Sequence, residues 1–168
     1  MNPAFVTQIG EGFVGDGPDA AHVNTVLGTL GGPVEIAWAS ALAQPSPGHT
    51  PFMVVAQPGL AVKPPTLFVN KATIANDRHG ELTWGAAQAG VAAGVQRAIR
   101  ERIIDATRAD DLLLIVAVWV NPAAADAAAV FANNRDAMID SLRAGLRREP
   151  RLGAFVEAEI WNPFFDPR

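Results

Sequence analysis

Residues 112–120 read LLLIVAVWV, an unbroken apolar run. It is far shorter than the roughly 20 apolar residues of a membrane helix. It is rich in β-branched side chains, preceded by Asp110-Asp111 and followed by Pro122. The run therefore reads as a strand covered on both faces. On its N-terminal side, Val91, Val95, Ala98, Ile99 and Ile103 recur at three- and four-residue steps. That period predicts a helix from about Leu82 to Ile103. A second helix is expected over about Ala125–Leu146.

Farther out, strands are expected at Phe5–Val14, Ala21–Leu27, Pro51–Gln57 (PFMVVAQ) and Thr66–Ile74 (TLFVNKATI). Gly31-Gly32-Pro33 opens a helix running to about Ala43, because proline suits a first helical turn. The segment QPSPG at 44–48 ends it. The order β-β-α-β-β-α-β-α predicts an α+β fold in which helices layer on a sheet. At 168 residues the chain is expected to be one domain, 1–168. The tail from Glu149, with Pro150, Gly153, Pro163 and Pro167, is expected to wrap over a neighbour.

Hydrophobic residues make up 49% of the chain and charged ones 18%, which suggests surface hidden in an oligomer. A well-covered monomer is the alternative. Net charge is −4 with no basic run, so nucleic-acid binding is not expected. No membrane span is expected, and no charged-then-apolar leader is visible, so the chain is expected to be cytoplasmic. Cysteine is absent, which excludes disulfides, thiolate catalysis and cysteine-ligated metals.

His22 is the first candidate for chemistry, since an imidazole exchanges protons near neutrality. Asn24, two residues along a strand, shares its face. The bland alternative is a hydrogen-bonded structural histidine. Lys71 and Thr73 form a second same-face pair on a predicted strand. Lys71 is one of two lysines against eleven arginines, which suggests a specific need for a compact charge; a solvated strand residue is the alternative. Gln88, early in the long helix, offers both a donor and an acceptor to a heterocycle, or is simply exposed. His49 lies in a loop able to close on a site, and His79, in NDRHGE, reads as solvated. The three histidines have no metal-ligand spacing, and no metal is expected. Ser40, Ser46 and Ser141 lack a nucleophile setting. Gly28–Gly32 lacks the lysine of a phosphate loop.

Several blocks together resemble the formaldehyde-activating enzyme family: IGE at 9–11, VGDGP at 14–18, AH at 21–22, GGP at 31–33, GHTP at 48–51, NKAT at 70–73 and GAAQ at 85–88. The resemblance covers roughly residues 9–150. It implies a two-layer α/β sandwich like the second domain of ribosomal protein S5, assembled as a homopentamer with the pterin in a cleft between neighbouring subunits. It implies condensation of formaldehyde with tetrahydromethanopterin as co-substrate, a one-carbon and formaldehyde-detoxifying lyase activity associated with methylotrophy. His22 is then the proton donor, and Asn24, Met53, Lys71, Thr73 and Gln88 are the pterin-contacting positions. Met53 replaces the usual leucine, a nearly volume-conserving change.

Asn24 departs from the family's aspartate and loses a negative charge that favours a protonated histidine. Asp16 compensates if it turns inward. Asn121 and Asn162 stand where family members often carry histidine before proline. These departures leave open a non-catalytic paralogue that binds a pterin or formaldehyde as carrier or sensor.

Overall fold

The structure is a computed structural model and describes residues 6–162. Its elements are β1 (Gln8–Val14), β2 (Ala21–Thr29), α1 (Pro33–Ala43), β3 (Pro51–Met53), β4 (Val55–Gln57), β5 (Leu60–Ala61), β6 (Thr66–Asn70), α2 (Asp77–Glu81), α3 (Gln88–Arg100), β7 (Leu112–Trp119), α4 (Ala127–Arg147) and α5 (Leu152–Glu157). A π-helical segment, Leu82–Ala87, joins α2 to α3. The main sheet has the order β1-β2-β7-β6-β3, and β4 with β5 forms a separate hairpin. Within the main sheet, β6 and β7 are parallel and the other pairs antiparallel. Helices and a mixed sheet make the expected α+β class.

Strand alternation gives the sheet two different faces. One carries Val23, Thr25 and Leu27 of β2, Phe68 of β6 and Leu114, Val116 and Val118 of β7, all buried. These pack with Val91 and Val95 of α3 and Met138 and Leu142 of α4 in one core. Gly10 and Gly12 of β1 admit α4 at very close range. A Cβ on Gly12 would lie 2.2 Å from the Ala137 carbonyl oxygen, and one on Gly10 1.8 Å from that of Ser141. The Ser141 hydroxyl pairs with Thr25 Oγ1 at 2.8 Å, so this serine is a buried structural group.

The opposite face carries Ile9, Glu11 and Phe13 of β1, His22, Asn24, Val26 and Gly28 of β2, and Leu113, Ile115, Ala117 and Trp119 of β7, as the register dictates. Leu67 and Val69 of β6 continue it. Here α1 covers one end, where Val34 lies against Gly28. Gly28 is what lets the helix down, since a Cβ there would sit 2.3 Å from Val34 Cγ2. Toward the other end, Ile115, Ala117 and Trp119 remain half-buried. The expectation that this strand is covered on both faces is thus met fully on one side and partly on the other.

The structure corrects several local expectations. Pro51–Gln57 is not one strand: it breaks at Val54, whose N–H donates to the Thr66 carbonyl at 2.9 Å while its own carbonyl accepts from Val62 N–H at 3.2 Å. Val54 thereby joins the sheet to the hairpin. The strand expected to reach Ile74 stops at Asn70. The Asn70 amide donates to the Ala72 carbonyl and its oxygen accepts from Ala72 N–H at 3.2 Å. This side chain offers the backbone a turn in place of the ladder. His79 is not solvated. It is fully buried in α2, with Nε2 2.9 Å from the Val120 carbonyl and Nδ1 accepting from Ala75 N–H at 3.1 Å. Phe5, Pro163 and Pro167 lie outside the described residues. The tail forms the exposed α5, with Leu152, Phe155 and Val156 solvent-facing, and Ile160 and Trp161 after it are exposed too.

Candidate active site

The half-covered face collects the sequence's candidates in rows. Antiparallel pairing sets Phe13 beside His22 and Glu11 beside Asn24. It sets His22 beside Trp119 and Asn24 beside Ala117. Lys71 extends the same grid: its N–H donates to the Val118 carbonyl at 2.9 Å, one residue beyond the last pair of β6 with β7. Lys71 is exposed and lies just past β6, beyond the buried Asn70. Phe13, His22 and Trp119 form one row across three strands, and the Lys71 backbone lies just past the end of the fourth. His22 and Lys71 are two strand spacings apart, roughly 10 Å.

His22 is open to a substrate, its side chain 44% exposed. Nε2 lies 3.2 Å from Glu11 Oε1. The Phe13 ring stands 6.0 Å away, tilted by 54°. The carboxylate beside the imidazole is thus Glu11, not Asp16. Among the described residues, Nδ1 of His22 has no hydrogen bond.

The other candidates gather at the opposite edge of the sheet. Met53 is partly exposed on β3 and pairs with Leu67 of β6. Gln88, at the start of α3, accepts from Val55 N–H through Oε1 at 2.7 Å. One lone pair of its oxygen is thereby used, and among the described residues its two amide N–H groups have no hydrogen bond. Thr50, Phe52, Met53, Val55, Trp84 and Gln88 line one cavity of about 410 Å³. Trp84 is 51% exposed on the π-helical segment, a feature frequent at functional sites. The Thr73 hydroxyl lies against Gly48, where a Cβ would be 3.1 Å from Oγ1. Lys71 and Thr73 both lie past the end of β6, so they are not a strand pair as expected.

One chain therefore holds two groups of candidates. His22 and Asn24, with Glu11 and Phe13, sit at the β1–β2 edge; Met53, Thr73 and Gln88 sit at the β3 edge. Three strand spacings and two rows separate His22 from Met53, about 20 Å by strand geometry. His49 lies between Gly48, which faces the Thr73 hydroxyl, and Thr50, which lines the cavity, and its Nδ1 lies 3.3 Å from the Pro47 carbonyl. Among the described residues no group of three or more histidines and carboxylates is placed to hold a metal. Nor is any helix long and apolar enough to cross a membrane.

The sequence profile of the family described as formaldehyde-activating enzyme (Fae) matches residues 9–161. The chain belongs to the formaldehyde-activating enzyme family. Among its relatives in that family is the 5,6,7,8-tetrahydromethanopterin hydro-lyase of Methanosarcina barkeri, 40% identical over 78% of this chain and 74% of the relative. The bifunctional enzyme Fae/Hps of Archaeoglobus fulgidus is 37% identical over 94% of this chain. That of Methanothrix thermoacetophila is 40% identical over 75% of it. The chain spans only 40% and 32% of the lengths of these two bifunctional relatives.

Within this family member, sequence reasoning missed Glu11 and Trp84. Glu11 had a signal in the alternation of β1, but only the pairing register places it beside His22. Trp84 had none beyond its place four residues before Gln88 on a helix.

Proposed function

We propose that this chain condenses formaldehyde with tetrahydromethanopterin to give the methylene-bridged pterin and water. The observation that carries the reading is the half-covered sheet face that presents an accessible His22 between Phe13 and Trp119, with the exposed Lys71 just past the end of β6. Family membership and a relative named as a tetrahydromethanopterin hydro-lyase support the substrate pair. The fold resembles that of ribosomal protein S5 domain 2, in the reading the sequence resemblance implies.

Formaldehyde is already a strong electrophile, so its carbon needs little activation. An amine nitrogen of the pterin adds to it and forms a carbinolamine. Hydroxide leaves poorly, and a proton from His22 converts it to water. The second pterin nitrogen then attacks the iminium carbon and closes the methylene bridge. Lys71, Thr73 and the free N–H groups of Gln88 hold the heterocycle, and Met53 packs on its face. Holding both nitrogens near the reacting carbon removes a large part of the ordering cost.

In this reading the site is completed between two copies. The groups about 20 Å apart in one chain would meet if the β1–β2 edge of one copy faced the β3 edge of another. The exposed Ile9 and Phe13 and the half-buried Val26, Ile115 and Trp119 support an associated face. A cytoplasmic homopentamer is the assembly expected from the resemblance.

The test is the rate of methylene-tetrahydromethanopterin formation with purified protein and with His22→Ala. Acceleration lost in the variant supports the reading; a wild-type rate equal to the spontaneous condensation removes it. Asn24 favours a second reading, a pterin- or formaldehyde-binding paralogue without turnover. Pterin affinity without acceleration would select it.

A further inference from the structure

We infer that Glu11 is the positioning residue for His22, the one carboxylate that this strand pair sets against the imidazole. The inference rests on the functional reading above and names a further residue of the same site. Glu11 and Asn24 are direct register partners, so their side chains leave the same face of β1 and β2. His22 lies diagonally from Glu11, within reach of a long side chain. The Glu11 carboxylate makes that reach, with Oε1 3.2 Å from Nε2. An acidic group on β1 thus stands beside the neutral amide on β2.

This contact constrains the imidazole in two ways. It engages Nε2 and leaves Nδ1, which has no hydrogen bond among the described residues, to face the departing hydroxyl. It also places a negative charge beside the ring that must carry the proton, and opposite charges attract at this range. On the same face β2 presents the neutral Asn24 and β7 presents Ala117 and Trp119. Lys71 lies past the end of β6, the strand beyond β7. Phe13, also on β1, sets its ring 6.0 Å from the imidazole at a tilt of 54°.

The residue is 59% exposed at its side chain, so its replacement leaves the core untouched. Glu11→Gln is expected to lower kcat by up to about fivefold while KM for the pterin stays constant, the scale of one exposed ion pair. Glu11→Ala is expected to lose activity likewise and to regain it when formate is added, because the small anion occupies the vacated place. His22→Ala gains nothing from formate. In the substrate-free protein, nuclear Overhauser contacts between the His22 and Phe13 rings are expected to weaken in Glu11→Ala. A wild-type kcat in both variants overturns the inference, as does a loss that formate does not restore, or ring contacts that stay unchanged. A wild-type protein that does not accelerate the condensation removes the functional reading instead, and the ring contacts still test Glu11.

Discussion

Asn24 and Glu11 face each other directly across β1 and β2. A carboxylate at 24 would therefore stand opposite an existing one. Asn24→Asp is expected to reduce the unfolding free energy by about 0.2–1 kcal/mol, the usual penalty for like charges directly across a strand pair. Added salt shrinks the loss, since both positions are exposed. Urea titration at low and high salt measures it. Unchanged stability at low salt would mean that the two side chains do not meet.

Packing at β1 makes a second prediction. The α4 backbone lies so close to Gly12 that any side chain displaces it. Gly12→Ala is expected to destabilise the fold by about 1–3 kcal/mol, the range for forcing extra atoms into a packed core. Thermal denaturation followed by circular dichroism reads the change. The same substitution at Gly17, where a Cβ would meet nothing within 4 Å, serves as the uncrowded comparison. Its φ of +59° makes alanine strained there, so any loss at Gly17 is backbone strain alone.

His79 makes a third. Its ring joins the Ala75 N–H to the Val120 carbonyl inside the protein. His79→Leu removes both partners while keeping an apolar volume. The loss is expected to be about 1–3 kcal/mol, the cost of leaving the buried Val120 carbonyl unsatisfied, since Ala75 is exposed and can turn to water. Equal stability of the variant would show that water reaches those groups.

These residues also mark where sequence alone suffices. The helix Pro33–Ala43 was legible to the residue because glycine, proline and a polar loop punctuate it. The apolar run at 112–119 was legible as a strand for the same reason. The break at Val54 was not, because its cause is a long-range hydrogen bond to Thr66. The early end of β6 had a local cause in Asn70, overridden in the reading by the β-forming residues after it. Asn76 caps α2 by accepting from His79 N–H, which is a cue to the short helix but not to the burial of the His79 ring, whose partner Val120 is 41 residues away. In the site, residue types and faces were legible, whereas the separation into two edges needed the strand order, which periodicity does not contain.

The acid limit of stability follows from one surface network. Arg97 donates to Glu101 at 2.6 Å, and Arg143 joins at 3.2 Å. The hydrogen bond from Arg97 holds the Glu101 carboxyl below its ordinary value, against a smaller opposing effect of burial. Asp136 is lowered first by its hydrogen bond from Arg135, with Arg97 adding a favourable charge. A carboxyl that is more acidic when folded stabilises the protein above its unfolded titration range and loses that effect as pH falls through the folded one. Wild-type melting temperature is therefore expected to drop below about pH 4. Arg97→Ala is expected to melt lower at neutral pH and to lose less on acidification. Parallel curves for the two proteins would contradict this.

The separation of His22 from Gln88 gives the most direct test of the account. His22→Ala and Gln88→Ala chains are each expected to be poor catalysts. Unfolded and refolded together in equal amounts, they should assort at random. If each site takes His22 from one copy and Gln88 from another, roughly a quarter of the sites become intact. The measurement is the condensation rate of the mixed assembly. A rate near a quarter of wild type is the predicted result; a mixed rate no greater than the mean of the two variants would contradict a site shared between copies.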